Sequence, residues 1–358
     1  MKTRVKKRKV PRVRLAIIGA GGMAGAHVRH FREIDDCEIV AAVDVDQGRV
    51  QRFCETHGIP AAFTRVGELL DKVPCDAVSI VTPDATHGAL SIQCARAGKH
   101  VLCEKPLALD YPEARRMLSA VRRAGVVHMV NFSYRNWPCS QAVAAVVQRG
   151  DIGEVRHVEA SYLQSWLSST VWGDWRTTPA WLWRLSSRHG SKGVLGDVGV
   201  HIVDFATFPA GPIASVYARL KTFPKAPRNR VGEYVLDAND SAVLSVEFAN
   251  GALGTIHTTR WASGHENRLF LKISGTRGAV EIDSERSTTS YRLCVGEDLH
   301  KARWSEVKAP ATPSLNERFI RSILTRRPEQ PDFARGAEIQ AVLDACFESN
   351  EAGRPVKV

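Results

Sequence analysis

Residues 13–24 read Val-Arg-Leu-Ala-Ile-Ile-Gly-Ala-Gly-Gly-Met-Ala. A short apolar, β-branched run passes straight into a glycine-rich turn, and a helical pattern opens behind it. In a strand, G-x-G-x-x-A, helix unit, Gly19 permits the tight turn, Gly21 lets the backbone approach a pyrophosphate, and Ala24 lets the helix pack close to the strand. Gly19, Gly21, Gly22, Met23 and Ala24 are therefore candidate dinucleotide contacts. The phosphates would rest on the helix N-terminus, where unpaired N–H groups and the helix dipole favour an anion. Asp44 closes the next β-branched run, twenty residues after Ala24. A carboxylate there accepts from the adenine ribose hydroxyls and repels a 2′-phosphate, which points to NAD. Arg49, close behind, leaves NADP open.

Outward from this unit the same rhythm continues. Strand patterns at Val13–Ile18, Glu38–Asp44, Ala77–Val81, Lys99–Cys103 and Val126–Val130 alternate with helical patterns at Ala85–Ala97 and Tyr111–Ala124. That alternation implies a doubly wound parallel sheet covered by helices on both faces. After Asn131 a helix at Ser140–Arg149 leads into long alternating runs at Arg156–Leu167, Ser241–Ala249, Gly251–Arg260, Leu269–Ser274 and Ala279–Asp283. These predict a largely antiparallel sheet in an α+β domain, with a type I′ turn at Asn250-Gly251 and a second hairpin through Gly275–Gly278. A final helix is expected over Ala334–Glu351. The expected domains are a basic disordered arm over 1–11, a nucleotide-binding domain over 12–131, an α+β domain over 132–333, and a C-terminal helical segment over 334–358.

The chain has 358 residues and a net charge of +11, with a pI near 9.4. Eight of its cations lie between Lys2 and Arg14 with no acid among them. The excess is therefore an arm rather than a face, which argues against nucleic acid as a partner. The eight cysteines include no C-x-x-C pair and no regular spacing, so they read as small buried hydrophobes in a reducing compartment. No signal-peptide pattern or membrane span is visible, and a cytoplasmic protein is expected. The twelve histidines show no ligand spacing, and no metal is expected.

Three further motifs fall where strands of the first domain end or where the second domain has begun: Thr82-Pro83-Asp84-Ala85-Thr86-His87, Cys103-Glu104-Lys105-Pro106-Leu107, and Gly196-Asp197-Val198-Gly199-Val200-His201-Ile202-Val203-Asp204. The i, i+4, i+7 spacing of Asp197, His201 and Asp204 lines them on one face of a helix. Together with Gly19–Ala24, Asn131, Tyr134-Arg135 and Gly150–Glu154, these motifs give a chain that resembles the glucose-fructose oxidoreductase / inositol dehydrogenase / rhizopine catabolism (Gfo/Idh/MocA) family from about Val13 onward.

The resemblance implies an α/β Rossmann domain plus an α+β domain with a large, mostly antiparallel open sheet, so that 132–333 is a substrate and oligomerisation domain through which homodimers or homotetramers pack, and the C-terminal helix in 334–358 returns to the Rossmann domain. It implies that Lys105, Asp197 and His201 correspond to the family's catalytic lysine, aspartate and histidine. Thr82, Pro83, His87, Glu104, Lys105, Asn131 and Arg135 join the cofactor contacts. Tyr134, Tyr162, Gln164, Trp166 and Arg184, with Asp197 and His201, form the substrate side. Tyr162, Gln164 and Trp166 alternate along one strand face, and aromatic rings flanked by amide and guanidinium groups suit a sugar or cyclitol. The expected reaction is NAD(P)-dependent hydride transfer from a secondary hydroxyl of a sugar, anhydrosugar or cyclitol, with Lys105 and His201 at the reacting oxygen. The alternatives are NAD-dependent redox-assisted glycoside hydrolysis and a non-catalytic sugar-sensing regulator. The chain departs from the family pattern at Asp84, usually Asn, and at Ser191-Lys192-Gly193, often a glycine run.

Overall fold

The computed structural model describes residues 12–358. The arm expected over 1–11 lies outside the described residues. Two compact units are present among the described residues: one contains 12–108 with 112–131 and 314–336, the other 109–111, 132–313 and 337–358.

The first unit alternates β1 (Val13–Ile18), α1 (Ala24–Arg32), β2 (Cys37–Val43), α2 (Gln47–Thr56), β3 (Ala62–Phe63), α3 (Val66–Lys72), β4 (Ala77–Ile80), α4 (His87–Arg96), β5 (His100–Cys103), α5 (Tyr111–Ala124) and β6 (His128–Val130). The strands form one parallel sheet in the order β3-β2-β1-β4-β5-β6. Nothing in β4 reaches solvent, as the near-continuous apolar composition of a strand covered on both faces requires. α1 buries Ala24, His27, Val28 and Phe31, a stripe at i, i+3, i+4 and i+7; burial of a side chain such as Phe31 contributes about 1.5–3 kcal/mol. Strand order reverses between β1 and β4, so the segments after these two strands border the crevice where open α/β sheets bind ligands.

The second unit holds α6 (Pro138–Gln148), β7 (Val155–Gln164), α7 (Pro179–Leu182), α8 (Val200–Ala210), β8 (Ile213–Lys221), the ribbon β9 (Arg230–Val231) and β10 (Tyr234–Val235), β11 (Ser241–Phe248), β12 (Leu253–Thr259), β13 (Asn267–Gly275), β14 (Gly278–Asp283), β15 (Ser290–Val295), α9 (Glu297–His300) and β16 (Ser305–Lys308). With β17 (Val356–Lys357) its main sheet runs β16-β15-β14-β13-β7-β12-β11-β8-β17. Every pairing is antiparallel except β7 with β12. β11 shows the two-sided logic: Ala242, Leu244, Val246 and Phe248 are buried, whereas Val243 is 53% exposed. α8 packs against β7, β12 and β13. The opposite face carries an open depression of about 440 Å³ bordered by His157, Glu159, Thr255, His257 and Arg268.

Three expectations change. Strand β7 stops at Gln164, so Trp166 lies beyond it. At Asn250-Gly251 only Gly251 takes positive φ, 83°. The Gly251 N–H returns to Phe248 O and the Phe248 N–H to Ala252 O, a three-residue loop of the kind that needs one left-handed residue, not two. The Asn250 side chain instead accepts from Ala252 N and donates to Ala210 O.

The third change concerns the C-terminal segments. Helix α10 (Leu315–Thr325) was not anticipated and belongs to the first unit; Leu315, Phe319 and Ile320 bury into the core that holds Leu15 and Phe31. Its sequence signal was a capping box, Ser314-x-x-Glu317, with both reciprocal bonds formed. Helix α11 (Phe333–Ala352) starts in the first unit, where the Phe333 N–H donates to His128 Nδ1. From residue 337 it belongs to the second, where Ser349 Oγ and Asn350 Oδ1 accept from the β8 amides of Ala218 and Leu220. Of the segment 334–358, residues 334–336 thus lie with 314–333 in the first unit and 337–358 in the second. All eight cysteines are buried and unbridged. Among the described residues no helix is long and apolar enough to cross a membrane.

Candidate active site

In the first unit the glycine turn follows β1 directly. Gly19 has φ 102°, and a Cβ there would stand 2.4 Å from Val81 O, so both conformation and space demand glycine. Gly21 and Gly22 have no atom within 4 Å of an added Cβ, and their backbone lies open ahead of α1. Met23 is 57% exposed, while Ala24 is fully buried. Asp44 Oδ2 accepts from the Ala20 N–H at 2.9 Å, and Oδ1 accepts from Asp46 N and Arg49 Nη1. The acid at the end of β2 is thereby fixed against the turn. An open amide cradle, a helix N-terminus and an adjoining carboxylate fit a dinucleotide.

Behind the cradle lies a buried polar network that sequence reasoning missed. His27, on the buried stripe of α1, places Nε2 2.8 Å from Glu104 Oε1 and Nδ1 2.9 Å from Ser79 Oγ. Asn131 Nδ2 donates to the same Glu104 oxygen, and the Lys105 N–H donates to Oε2. Burial alone would raise the Glu104 carboxyl, but His27, the Lys105 charge and Asn131 outweigh it and lower its pKa to about 2. Glu104, expected on a ribose, is only 9% exposed. It acts as a strut beneath Lys105, and Asn131 braces it. The signal available was a lone polar residue on an otherwise apolar helix stripe.

His87, expected among the cofactor contacts, is tied to two backbone carbonyls. Its ring is fully buried, with Nδ1 2.8 Å from Pro106 O and Nε2 3.0 Å from Thr82 O. Carbonyls only accept, so this pair of partners favours the doubly protonated ring. Burial opposes that charge, but Cys103, Asp84 and the Pro106 carbonyl favour it and raise the pKa to about 10. His87 thus ties the Thr82-Pro83 turn to the Lys105-Pro106 turn. Thr82 is half-buried and Pro83 exposed, and the Thr86 hydroxyl bonds the Thr82 hydroxyl and Pro83 O.

In the second unit, α8 brings His201 against two tyrosines. The Tyr134 and His201 ring centroids are 4.8 Å apart at 70°, Tyr162 lies 6.4 Å from His201, and the two phenols share a hydrogen bond. Burial, Tyr134 and the charge of Asp197 push the Tyr162 phenol well above its usual value, which keeps it neutral. Asp197 is not on the α-helix proper: it sits in a π-turn, Leu195–Gly199, that precedes α8, a distortion frequent at functional sites. Asn239 holds this turn by accepting from the Leu195 N–H. Asp197 Oδ2 receives Arg260 Nη2 at 3.0 Å and lies 3.5 Å from Arg184 Nε.

Arg135 and Asp204 form a pair that is 3% and 2% exposed, bidentate at 2.8 and 2.6 Å. The Arg135 guanidinium, expected among the cofactor contacts, pairs with Asp204 of α8 and lies 4.0 Å over the Phe208 ring. Gln164 and Trp166 are 4% and 2% exposed. Trp166 Nε1 donates to Gln164 Oε1, and Gln164 Nε2 donates to Asn267. Both residues brace the wall rather than offer an open ring and amide, and Trp166 joins Leu167, Trp175, Leu182 and Leu185 in a small apolar cluster. Arg184 keeps a partly exposed side chain between the Trp181 and Trp183 rings. Lys192 is exposed, with its ammonium 5.7 Å from the Phe347 ring. Among the described residues no cluster of three or more His, Cys, Asp and Glu side chains is placed to hold a metal ion.

Comparison with known proteins places these residues in a wider set. Residues 13–132 match the GFO_IDH_MocA oxidoreductase model with NAD-binding Rossmann fold, and residues 140–281 match the GFO/IDH/MocA C-terminal domain. Levoglucosan dehydrogenase of Pseudarthrobacter phenanthrenivorans is 32% identical over 316 residues, 78% of this chain and 79% of that protein. Myo-inositol 2-dehydrogenase of Thermotoga maritima is 28% identical over 279 residues, 77% of each. A solved levoglucosan dehydrogenase in complex with NADH and levoglucosan superposes with TM-score 0.87 at 26% identity, covering 97% of this chain and 99% of that one.

Proposed function

The chain belongs to the Gfo/Idh/MocA oxidoreductase family, and on that footing we propose that it is an NAD-dependent dehydrogenase that oxidises a secondary hydroxyl of a sugar, anhydrosugar or cyclitol. The observation that carries the reading is the presence, in one chain, of an open amide cradle at 19–24 and a histidine flanked by two tyrosines in the second unit. Bound NAD⁺ supplies the hydride acceptor. Everything else falls to side chains. His201 takes the hydroxyl proton, a task suited to a positioned imidazole. Lys105 stabilises the alkoxide charge that develops on the oxygen as that proton leaves, before the hydride departs and the carbonyl forms. Asp197 holds a neighbouring substrate hydroxyl, and Tyr134 limits how the His201 ring turns.

The purified protein with NAD⁺ and a panel of inositols, hexoses and levoglucosan is expected to produce NADH absorbance, with NAD⁺ preferred over NADP⁺ because a carboxylate after β2, here Asp44, accepts from ribose hydroxyls and repels a 2′-phosphate. Absence of any dinucleotide binding would overturn the assignment; glycoside cleavage without net NADH would replace it with the hydrolase reading. The exposed face of the large sheet, with Val243 and Leu253 53% and 60% exposed, supports a second copy of the chain as its cover. Sedimentation is expected to find a dimer or tetramer, and a monomer at micromolar concentration removes that part of the reading.

A further inference from the structure

Arg260 follows the last residue of β12 and is completely buried. A guanidinium in such a place costs several kcal/mol to desolvate, so its contacts define what it is for. Its Nη2 donates to Asp197 Oδ2 at 3.0 Å and its Nη1 to Arg184 O at 3.1 Å. Its Cζ lies 4.9 Å over the Trp166 ring. Its backbone is fixed on both sides: the N–H donates to Asp240 O, and the carbonyl accepts from Leu167 N. One planar fork therefore meets the π-turn, the Arg184 segment and the tryptophan beyond β7. Asp240, itself buried, is held in turn by Lys225 Nζ at 2.8 Å, so charge alternates Lys225, Asp240, Arg260, Asp197 through the interior.

We propose that Arg260 is a positioning residue for the reaction: it fixes the Asp197 carboxylate and the Trp166 ring in one geometry, so that Asp197 meets a substrate hydroxyl without searching for it. Lysine cannot replace it, because a single ammonium lacks the flat, forked face that reaches a carboxylate and a carbonyl while lying against a ring. A rigid π-turn alone does not fix the carboxylate, since Asp197 keeps a side chain about a quarter exposed. This inference rests on the dehydrogenase reading above.

The test is a double-mutant cycle on the full-length protein with the best substrate from the panel. Arg260→Met and Asp197→Asn singly are each expected to lower kcat/KM roughly 10²-fold, about the loss of one preorganised polar contact. Combined, they are expected to lose little more than either alone, within a factor of about three. Arg260→Lys is expected to keep folding and lose nearly as much as Arg260→Met, with NADH affinity unchanged in all variants, since Arg260 belongs to the second unit. Losses that multiply in the double variant overturn the proposal. So does wild-type kcat/KM in Arg260→Lys, or failure of both Arg260 variants to fold, which assigns the residue to stability. An inactive wild type with intact NADH binding refutes the substrate reading instead, which keeps the two failures apart.

Discussion

Lys105→Met is expected to lower kcat/KM by about 10²–10³-fold, the cost of removing one preorganised donor from a developing oxyanion. His201→Ala is expected to lower it by about 10²–10⁴-fold, the usual contribution of a positioned general base. The reasoning starts from how firmly each is placed. Lys105 leaves a backbone whose N–H is bonded to Glu104, a carboxylate pinned by His27 and Asn131, so its position is set by a buried strut. His201 is 8% exposed and bounded by the Tyr134 and Tyr162 rings. Groups that act on one transition state are not additive, so the double variant is expected to lose little beyond the worse single one. Stopped-flow and steady-state NADH absorbance measure these losses, and NADH fluorescence titration should show His201→Ala binding the nucleotide as wild type does. Either variant retaining more than a tenth of wild-type kcat/KM removes that residue from the chemistry.

Asp204→Ala is expected to destabilise the folded protein by about 3–5 kcal/mol, because it strands the Arg135 guanidinium, 3% exposed, without its carboxylate. For a chain of this length that corresponds to a fall in Tm of roughly 4–7 °C. The pair joins the turn that carries Tyr134 to the helix that carries His201, so activity should fall with it even below the unfolding transition. Replacing both partners, Arg135→Met with Asp204→Leu, is expected to recover most of the stability, since a well-packed apolar pair of similar volume avoids the desolvation cost. Calorimetry reads the Tm values. An Asp204→Ala protein within 1 °C of wild type would show that the pair contributes little.

How much of this could be read ahead of the coordinates depended on whether the determinant was local. The strand-turn-helix at 13–24, the alternating parallel architecture, the alternating runs of the second sheet and the final helix all follow from short-range periodicity and turn chemistry. The cradle glycines and Asp44 were equally legible, because a tight turn beside a carboxylate is written within a few residues. The capping box at Ser314 was legible too, yet it went unread.

The roles of polar side chains were another matter. Glu104 and His87 stand in motifs that face a cofactor by resemblance, but their partners, His27, Asn131, Thr82 O and Pro106 O, come from other segments of the first unit. Arg135 was expected on the cofactor, and only packing shows its fork closed on Asp204, 69 residues away. Arg260 carried no signal, since a lone arginine after a strand reads as an ordinary exposed charge. Residue order therefore decides which elements form and where a glycine turn and an acid adjoin the start of a helix, because those depend on φ, ψ and spacing. Which buried charge neutralises which depends on long-range pairing in a low-dielectric interior, where a polar group takes its role from its partner.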